Sequence, residues 1–397
     1  MTDRIAANAT QAAVQTAVNA AVDGDRVLIP DGSATWSSGI STTKQIIIRA
    51  QNYTPTPAGY YQGSVHAGAS SRNVTITNNT SDSLFSFTSG NSYHCGLGGI
   101  RINEGSGGGA HLSCTGSGTK PPLIFDNYFQ VTDRMWPTPH ALDMTGLLGG
   151  VMWNCVLVGS AGDNAGEGAF LIKEPPRGWT TPSTMGMNDA SGNVNFYAED
   201  CTFQNAGICP DIDSSGRYTA RWCDYNGAWA ETHGFTSTIT GRHWEFYDGI
   251  FRASMVHRNM AGRYFWARGG TGVFTRNRVD LAVDSGYYAA LKQLDIGDNT
   301  NPTSNPQNMQ PGWGWETSGG HQHDPIYIWS QTGTQAYAWA VRTDFGWQNN
   351  IIAGSEVIVN AGAKPGYTSY TYPHPLRSVV EGGGGSPPTG TITLSVR

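Results

Sequence analysis

The sequence predicts an all-β protein in which short strands stack as the successive coils of a solenoid. Three observations lead to this fold class: the composition, one amphipathic helix near the N-terminus, and a short pattern that recurs along the centre of the chain. The composition excludes most other classes. The helix fits a cap on the end of a stack, and the recurring pattern gives the length of each coil.

The composition is that of a turn-rich, aromatic-rich β protein. Of the 397 residues, 52 are glycine, 14% are charged and 11% are aromatic. Glycine is nearly twice its usual share of about 7%, and charge is well below the usual share of about 25%. Long surface helices need abundant Ala, Leu, Glu and Lys, so a helix bundle is excluded. A hydrophobic share of 38% can bury a large core, which excludes a disordered chain.

Charge and hydropathy limit the partners of the protein. A net charge of −6 with only 24 Lys and Arg gives no electrostatic basis for binding nucleic acid or an anionic membrane. No apolar run reaches the length of about 18 residues that a membrane-spanning helix needs, so no membrane insertion is predicted. The N-terminus also lacks the basic and apolar segments of an ordinary secretion signal. Either a leader was removed, or the protein leaves its cell by another route.

The first 50 residues are predicted to form an N-terminal cap. Apolar residues recur at helical spacing between Thr10 and Val22, and Thr10 can cap the start of that helix. Two short strands are predicted next, at 26–30 and 44–50. A short amphipathic helix followed at once by strands fits the end of a β stack, while an ordinary α+β start would fit the helix alone.

One pattern recurs through the centre of the chain: an apolar residue, two outward residues, a corner residue, one further residue and a second apolar residue. It occurs at 124–129, 152–157, 198–203, 220–225, 246–251 and 274–279. The corner residues, in order, are Asn127, Cys155, Cys201, Cys223, Gly249 and Asn277. Their spacings of 28, 46, 22, 26 and 28 residues are those of a strand solenoid, in which the interval of 46 holds two coils or one long loop.

The corner residues have a physical role in such a stack. Asn tolerates a tight left-handed bend and can hydrogen-bond to the backbone of a neighbouring coil, and Cys is small enough for the same buried corner. Six cysteines without a C-x-x-C pair are too sparse for a disulfide scaffold or a zinc site. We therefore expect reduced, buried thiols at Cys95, Cys114, Cys155, Cys201, Cys209 and Cys223.

The sequence resembles the right-handed parallel β-helix proteins of the pectate-lyase-like superfamily. The resemblance is carried by the capping segment at 16–38, by the coil pattern, and by the stretches at 233–251, 268–274 and 364–376, which are similar to bacterial and phage β-helix proteins. It implies a single-stranded parallel β-helix with lateral loops over residues 51–378. Because this superfamily includes lyases, hydrolases, epimerases, viral spikes and adhesins, it leaves the reaction open.

Outward residues beside the corners form the first candidate site. Adjacent coils lie about 4.8 Å apart, so Glu199 and Arg221 should be neighbours, and both are candidate catalytic residues. Acids, an arginine and aromatic rings on one rigid sheet suit a saccharide, since rings stack on sugars and carboxylates bond hydroxyls or act as acid and base. A ladder of solvated ion pairs fits the same pattern. The candidate substrate-binding residues are Tyr197, Asp200, Trp222, Glu245, Tyr247 and Asp248.

A second cluster is predicted in the loops between coils. Asp211 and Asp213 lie in one such stretch, and Glu231 and His233 lie in the next. Glu231 and His233 are further catalytic candidates, His233 because the pKa of an unperturbed imidazole is near neutrality. A structural role for a single loop histidine is the alternative.

The sequence predicts no metal site and no cofactor, with Ca²⁺ as the one ion to consider because a polysaccharide lyase usually needs an acidic calcium cluster. His321 and His323 could share one face of a strand next to Asp324, but a third separated ligand is missing. The neighbouring tryptophans at 313–315 are predicted to pack a lateral loop against the coils.

The C-terminal tail departs from the coil pattern. Residues 379–397 read as a Gly/Pro linker followed by one strand, which cannot form a domain alone. We expect another chain to hold this tail, by strand addition or by packing in a homotrimer.

Two function classes fit these observations. In the first, the protein is a virion component, such as a tailspike, fibre or capsid-surface protein, that binds and can depolymerise host surface polysaccharide. The missing secretion signal and the phage-like resemblance favour this class. In the second, it is a secreted bacterial polysaccharide lyase or glycoside hydrolase. A purely structural or decoration protein without catalysis is a third reading.

Overall fold

The computed structural model describes residues 1–56, 72–131, 140–159, 169–174, 189–232, 241–253, 263–280, 293–296, 312–317, 320–333, 339–341, 352 and 354–380. Over these residues the chain winds into a parallel β-helix with three faces, as the sequence predicted. A central coil, such as the one with Gly150–Trp153, Val156–Gly159 and Phe170–Lys173, contributes one strand to each face, and the strands of successive coils pair in parallel.

Within the described ranges, face A is a sheet of 12 strands that runs the length of the coil stack. Its strands, in order, are Asp3–Ile5, Arg26–Ile29, Ile47–Ala50, Gly96–Gly98, Leu123–Phe125, Gly150–Trp153, Phe196–Glu199, Arg217–Arg221, His243–Tyr247, Thr271–Thr275, Ile326–Trp329 and Val357–Val359.

Faces B and C belong to one sheet of 17 strands, because two long strands, Thr202–Asp213 and Asp224–Thr232, run through both faces. Face B otherwise contains Gly32–Trp36, Val74–Asn78, Ile100–Glu104, Tyr128–Val131, Val156–Gly159, Ile250–Ala253 and Arg278–Val279. Face C otherwise contains Ile40–Thr42, Phe85–Thr88, Leu112–Thr115, Leu142–Thr145, Phe170–Lys173, Arg263–Ala267, Gln293–Ile296 and Trp339–Val341. Trp313–Thr317 and Gly320–His323 form a separate antiparallel pair.

The core fills the interior of the coils with one side chain above another. The apolar residue that opens each recurring pattern points inward, as predicted, and all six lie in one continuous core cluster. They are paired from coil to coil in the order Ile124, Met152, Ala198, Ala220, Phe246 and Phe274. Because side chains alternate along a strand, the residues immediately before and after each of these six lie on the outer surface of face A.

At the corner between faces A and B, the position of the left-handed residue differs from the one that the sequence predicted. The left-handed residue is not Asn127 or its equivalents but the residue before each of them. These residues have φ between 50° and 57° and are Asp126, Asn154, Asp200, Trp222, Asp248 and Arg276. The bend at this position turns the next side chain into the interior, where it can reach the neighbouring coil.

The corner asparagines do bond to the backbone of a neighbouring coil, as predicted. The Asn127 amide donates to the carbonyl of Leu97 at 2.9 Å and accepts from the N–H of Ile100 at 3.0 Å. Asn277 makes the equivalent pair with the Phe246 carbonyl, at 2.8 Å, and the Gly249 N–H, at 3.0 Å. Each amide thus satisfies two backbone groups that the corner would otherwise leave buried and unpaired.

All six cysteines are buried and free, which confirms the predicted thiols. Cys155, Cys201 and Cys223 stack at the same corner as the asparagines and lie against backbone carbonyls. Burial raises the pKa of Cys95 to about 12, and it raises the pKa of Cys201 as well. Cys95 and Cys201 are therefore protonated packing groups rather than nucleophiles.

The N-terminal helix Gln11–Ala20 closes one end of the core with Val14, Ala17 and Val18. It is shorter than the predicted span of 10–22. Thr10 occupies the N-cap position, but its side chain does not bond to the helix backbone, since its hydroxyl donates to Asn8 at 2.6 Å instead. In the part of the chain that the structure describes, no helix is long and apolar enough to cross a membrane.

The C-terminal strap, residues 364–380, lies outside the coils. After the last strand of face A the chain turns back, contacts Thr271 through Lys364, and reaches the cluster of Ile47 and Leu123 through Val380. The strap ends in the short helix Arg377–Val380. Of the predicted tail at 379–397, Val379 and Val380 belong to this helix, and residues 381–397 lie outside the described residues.

Substitution of a corner asparagine should show what these corners contribute to stability. Asn277→Ala leaves one carbonyl and one N–H buried without a partner, so we expect a loss of about 2 to 4 kcal/mol in the free energy of unfolding. Cys201→Ala, which removes a small apolar group from the equivalent corner, should cost about 1 kcal/mol. Thermal and urea unfolding of both variants would measure the difference, and equal losses would contradict this role for the amide.

Candidate functional site

The predicted pair Glu199 and Arg221 is directly adjacent across two coils of face A. Arg221 Nε donates to Glu199 Oε1 at 2.6 Å, and Arg221 Nη1 donates to the hydroxyl of Tyr247 at 3.0 Å. Tyr247 follows in register on the next coil. The sequence prediction of this ladder is therefore confirmed, including the outward direction of the three side chains.

The C-terminal strap covers this ladder, which the sequence analysis did not anticipate. Arg377 Nη1 donates to Glu199 Oε2 at 3.0 Å and to Asp200 Oδ2 at 2.7 Å. The hydroxyl of Tyr372 donates to Asp200 at 2.6 Å, and Arg221 donates to the carbonyl of Tyr370 at 2.7 Å. Glu199, Asp200, Arg221, Tyr372 and Arg377 are together called the strap cluster.

The strap cluster is buried, so the expectation of an exposed glycan surface is wrong for these residues. Glu199 and Arg221 are both 0% exposed, and the alternative of a solvated ion ladder does not hold for them either. The chain distance explains the difference, because Arg377 lies 178 residues from Glu199 and no local pattern links them. Their predicted catalytic role stays a prediction.

The charges within the strap cluster balance. Burial alone would raise the pKa of Glu199, but Arg221 and Arg377 hold it below its ordinary value. Burial opposes the charged form of Arg377, yet Asp200 and Glu199 raise its pKa. Burial raises the pKa of Asp200 against the opposing effect of Arg377, so this carboxyl depends on the guanidinium for its charge.

His374 holds the strap against the coils in its neutral form. Its backbone N–H donates to Glu199 Oε1 at 3.1 Å, its Nε2 lies 3.0 Å from the carbonyl of Asp189, and its Nδ1 accepts from the N–H of Leu376 at 3.2 Å. Burial lowers its pKa to about 4. A proton on Nδ1 would place two donors against each other, which gives a geometric reason for the same direction.

The other predicted residues of face A also contact the strap or lie at its edge. Tyr197 packs under Tyr370 and His374, with ring centroids 5.8 and 4.7 Å away. Glu245 accepts from the hydroxyl of Tyr367 at 3.2 Å and lies 2.9 Å from His243 Nε2.

Trp222 and Asp248 are only partly buried and lie at the corner between faces A and B. Trp222 packs against Tyr372, with ring centroids 5.7 Å apart, and Asp248 pairs with Arg276 at 2.8 Å. These two are the predicted binding residues of face A that solvent can reach at the edge of the strap.

The second cluster lies on face C, and its residues are in strands rather than loops. Asp211 and Asp213 belong to the strand Thr202–Asp213, and Glu231 belongs to Asp224–Thr232. The loop assignment was wrong because both strands extend through the corner between faces B and C. Glu231 is paired in register with Asp211. His233 lies outside the described residues.

Cations and an aromatic ring complete the cluster on face C. Lys173 Nζ lies 2.9 Å from Asp213 Oδ2, and Arg268 Nη1 lies 3.6 Å from Glu231 Oε1. The Arg268 guanidinium stacks over the ring of Trp266 at 4.6 Å from its centroid. We call Lys173, Asp211, Asp213, Glu231, Trp266 and Arg268 the face C cluster.

The sequence analysis missed Lys173, Trp266 and Arg268. Lys173 is paired in register with Asp213. It lies in the interval of 46 residues between the corners Cys155 and Cys201, where the sequence did not show the number of coils. Trp266 pairs with Glu231 in register, but it lies outside the recurring pattern of face A. A pattern search aligned on the second half of each coil could have found both positions.

A metal site finds little support among the described side chains. No group of three or more His, Cys, Asp or Glu in the described part of the chain is arranged to hold an ion. His323 Nε2 lies 3.7 Å from Glu356, and its side chain is partly exposed.

Comparison with known proteins adds one structural similarity. No protein-family model matches this sequence, and no curated protein matches it. Among solved structures, the chain is similar to an alginate lyase from Paenibacillus sp. strain FPU-7, with 12% sequence identity and a TM-score of 0.31. The match covers 91% of this chain and 99% of the other. A similarity this weak does not allow residues or an activity to be transferred.

Removal of one charge from the strap cluster should destabilise the protein strongly. Arg377→Ala leaves Asp200 buried without a cation and Glu199 with Arg221 alone, and we expect a loss of about 3 to 5 kcal/mol and easier proteolysis of the strap. The matched control is Arg276→Ala, which breaks the partly exposed pair with Asp248 and should cost less than about 1 kcal/mol. Urea unfolding measures both, and a small loss for Arg377→Ala would mean that the strap is not anchored here.

Acidification should weaken the protein through His374. Its pKa is about 6.5 when unfolded and about 4 when folded, so the unfolded chain binds the proton first. Stability is therefore fully present above about pH 6.5 and falls by up to about 3 kcal/mol as the pH drops to about 4.

The variant His374→Asn keeps an acceptor for the Leu376 N–H and cannot titrate in this range. The loss of unfolding free energy between about pH 7 and about pH 4.5 should be smaller in this variant than in the wild type. Other histidines and carboxylates titrate in both proteins and cancel in the comparison. If the free energy of unfolding falls by the same amount in wild type and variant over this pH range, His374 is not the source of the loss.

Proposed function

We propose that the protein binds and cleaves polysaccharide, and that the face C cluster is its reaction site. The single observation that carries this proposal is the pairing of Asp211 with Glu231 on adjacent coils, with Asp213 on the same strand and Trp266 on the next coil. Paired carboxylates beside an aromatic ring are what cleavage of a glycosidic bond requires.

The face C cluster suits substrate better than the strap cluster does. Glu199 and Arg221 are 0% exposed and bond to each other and to the strap, so a polymer could reach them only if the strap moved. On face C, the side chain of Lys173 is 34% exposed and that of Asp213 is 13% exposed. The cluster therefore meets solvent at Lys173 and Asp213, beside Asp211 and Glu231, which are 7% and 2% exposed.

The spacing of the carboxylates is set by the backbone of the β-helix. Residues in register on adjacent coils are about 4.8 Å apart, and residues two apart on one strand are about 6.6 Å apart. These values bracket the separations of about 5 Å and about 6.5 to 9.5 Å that retaining and inverting glycosidases use. In either geometry one carboxyl protonates the leaving oxygen while the other acts as nucleophile or activates water.

The cations have supporting roles in this arrangement. Lys173 neutralises Asp213, and Arg268 lies beside Glu231 with its guanidinium fixed on the Trp266 ring. Each charge on the face is thereby held in one place, which is what preorganisation of a reaction site needs.

The test is incubation with a panel of acidic and neutral polysaccharides, with measurement of reducing ends and of unsaturated-product absorbance. We expect new reducing ends without unsaturated products, and we expect Asp211→Asn and Glu231→Gln to lower the rate about 10²- to 10⁴-fold. Asp82→Asn changes an exposed carboxylate in a turn and serves as the control with an unchanged rate.

Other outcomes separate the alternative functions. Unsaturated products would indicate a lyase and would overturn the hydrolytic mechanism. Binding of glycan without cleavage would leave a binding protein, and the absence of both products and of glycan binding would leave a structural protein. Loss of activity on Glu199→Gln, with Asp211→Asn unaffected, would move the reaction to face A.

We also propose that the protein is displayed on a virion surface as a homotrimer, which the resemblance to phage β-helix proteins favours. A secreted bacterial enzyme is the alternative location. Light scattering of the purified chain measures the oligomer, and mass spectrometry of purified particles from a producing strain tests the virion location. A monomer that is absent from particles would favour the secreted enzyme.

A further inference from the structure

We propose that a cavity at the corner between faces A and B binds one uncharged sugar unit, such as a chain end or a branch of a polysaccharide. This corner cavity has a volume of about 250 Å³ and is lined by Ala50, Gly99, Asp126 and residues of the segments 52–56 and 72–73. The site goes beyond the proposed function, because it lies away from the face C cluster. It rests on that function only for the polymer to which the sugar belongs.

The corner cavity exists because one coil does not close at this corner. Gly99 and Asp126 occupy the corner position of successive coils and turn there with φ of 69° and 50°. Ala50 has the same position one coil earlier, but there the chain continues outward through 52–56 and re-enters the coil through 72–73. The three corner residues therefore form the floor of the cavity, and the two segments form its walls.

Tyr53 is a fixed wall of the cavity, and Gly99 makes room for it. A Cβ on Gly99 would lie 2.9 Å from the Tyr53 ring, so this ring lies directly on the floor. The ring packs edge-on against Phe125 with the centroids 5.3 Å apart, and its hydroxyl donates to Asp126 Oδ2 at 2.7 Å. A ligand would meet this wall already in place.

Asp126 provides an unmet acceptor at the floor. The residue is 4% exposed, and among the described residues only the Tyr53 hydroxyl donates to its carboxylate. Oδ1 is buried and accepts no hydrogen bond there. Burial raises the pKa of this carboxyl, and a buried acceptor without a donor is costly. Because the terminal torsion of an aspartate is soft, Oδ1 can turn toward a hydroxyl that enters the cavity.

The charges around the cavity balance, which selects an uncharged ligand. Arg72 and Asp126 are the two charged residues among the described lining residues. Behind them lie Asp31, which accepts from the two lining asparagines, and Arg49, whose guanidinium lies 5.2 Å from the centroid of the Tyr53 ring. A ligand of either sign would meet one like charge in the lining, whereas an uncharged ligand meets none.

The other polar groups of the lining suit the hydroxyls of a sugar. Thr54 and Thr56 carry hydroxyls, and Asn52 and Asn73 carry amides whose nitrogens donate to Asp31 at 3.0 and 3.1 Å. Hydroxyls and amides both donate and accept hydrogen bonds, as each sugar hydroxyl does. The bonds to Asp31 also hold the two amides in place before a ligand arrives.

The volume of the cavity suits a single sugar unit. It is below the range of about 300 to 1,000 Å³ that is usual for sites of drug-sized ligands. At about 30 Å³ for each water, it corresponds to about eight waters, several of which one sugar ring would displace. Asn52 and Asn73 are exposed at the rim, so the rest of a polymer can continue into solvent.

Binding of methyl glycosides tests the proposal directly. The neutral probes are those of glucose, galactose, mannose, rhamnose and N-acetylglucosamine, and the charged probes are those of galacturonic acid and glucosamine. Saturation-transfer NMR and calorimetry measure the affinities. We expect at least one neutral probe to bind with a Kd of about 1 mM and both charged probes to bind at least about tenfold more weakly. Absence of binding by all neutral probes, or tighter binding of a charged one, would overturn the proposal.

Two matched variants locate the binding. Asp126→Asn keeps the side-chain shape and a residue type that tolerates positive φ, and should weaken the neutral probe about tenfold because an amide oxygen is a weaker acceptor than a carboxylate. Asp82→Asn makes the same change in an exposed turn and should alter the affinity less than about twofold. Equal effects of the two variants, at unchanged melting temperatures, would contradict the assignment.

A crystal of the wild type soaked with the tightest neutral probe gives a location that depends on no variant. We expect the sugar ring beside Tyr53, with a hydroxyl within hydrogen-bond distance of Asp126. Density for the sugar elsewhere on the coils, with none in the corner cavity, would overturn the proposal.

Two measurements keep this proposal separate from the proposed function. Asp211→Asn should bind the neutral probe as the wild type does, so binding by a wild type that cleaves no polymer would reject only the reaction. If the wild type cleaves a polymer that contains the bound sugar, Asp126→Asn should raise its KM and leave kcat unchanged. Cleavage by a wild type that binds no probe in the corner cavity would reject only the cavity.

Discussion

The parallel pairing of each coil with the next is the constraint on which the rest of the structure depends. It fixes equivalent residues about 4.8 Å apart, so any side chain that is suitable once is repeated as a column. The core column from Ile124 to Phe274, the corner amides and the outward ladder of Glu199 and Arg221 all follow from this one register. A column is thus the unit from which the sites of this protein are built.

The corner residues satisfy the backbone groups that this register would otherwise bury without a hydrogen bond. Each turn from face A to face B leaves buried polar groups, and the side chain after the left-handed residue satisfies them where it is asparagine. Where it is cysteine, a small side chain fills the corner and lies against a carbonyl instead. The low charge of the chain follows from the same geometry, because strand edges that pair with the next coil need no solvating side chains.

The two groups of charged residues illustrate opposite uses of an outward column. On face A the charges are matched, buried and tied to the strap, so their mutual attraction offsets the cost of removing them from water. On face C the acids exceed the cations and meet solvent through Asp213 and Lys173. The first arrangement suits the fixing of one chain segment against another, and the second suits contact with a ligand.

The sequence by itself determined the coil fold, the direction of the side chains around each corner and the adjacency of Glu199 and Arg221. It could do so because these features depend on spacing within 22 to 28 residues, which a recurring pattern reports. Only the tertiary structure decided that the strap covers face A, since Arg377 and Glu199 meet across 178 residues of chain. It also decided that Asp211, Asp213 and Glu231 lie in strands beside Lys173 and Trp266. The sequence could not predict this pairing, because the loops in these intervals hide how many residues belong to each coil.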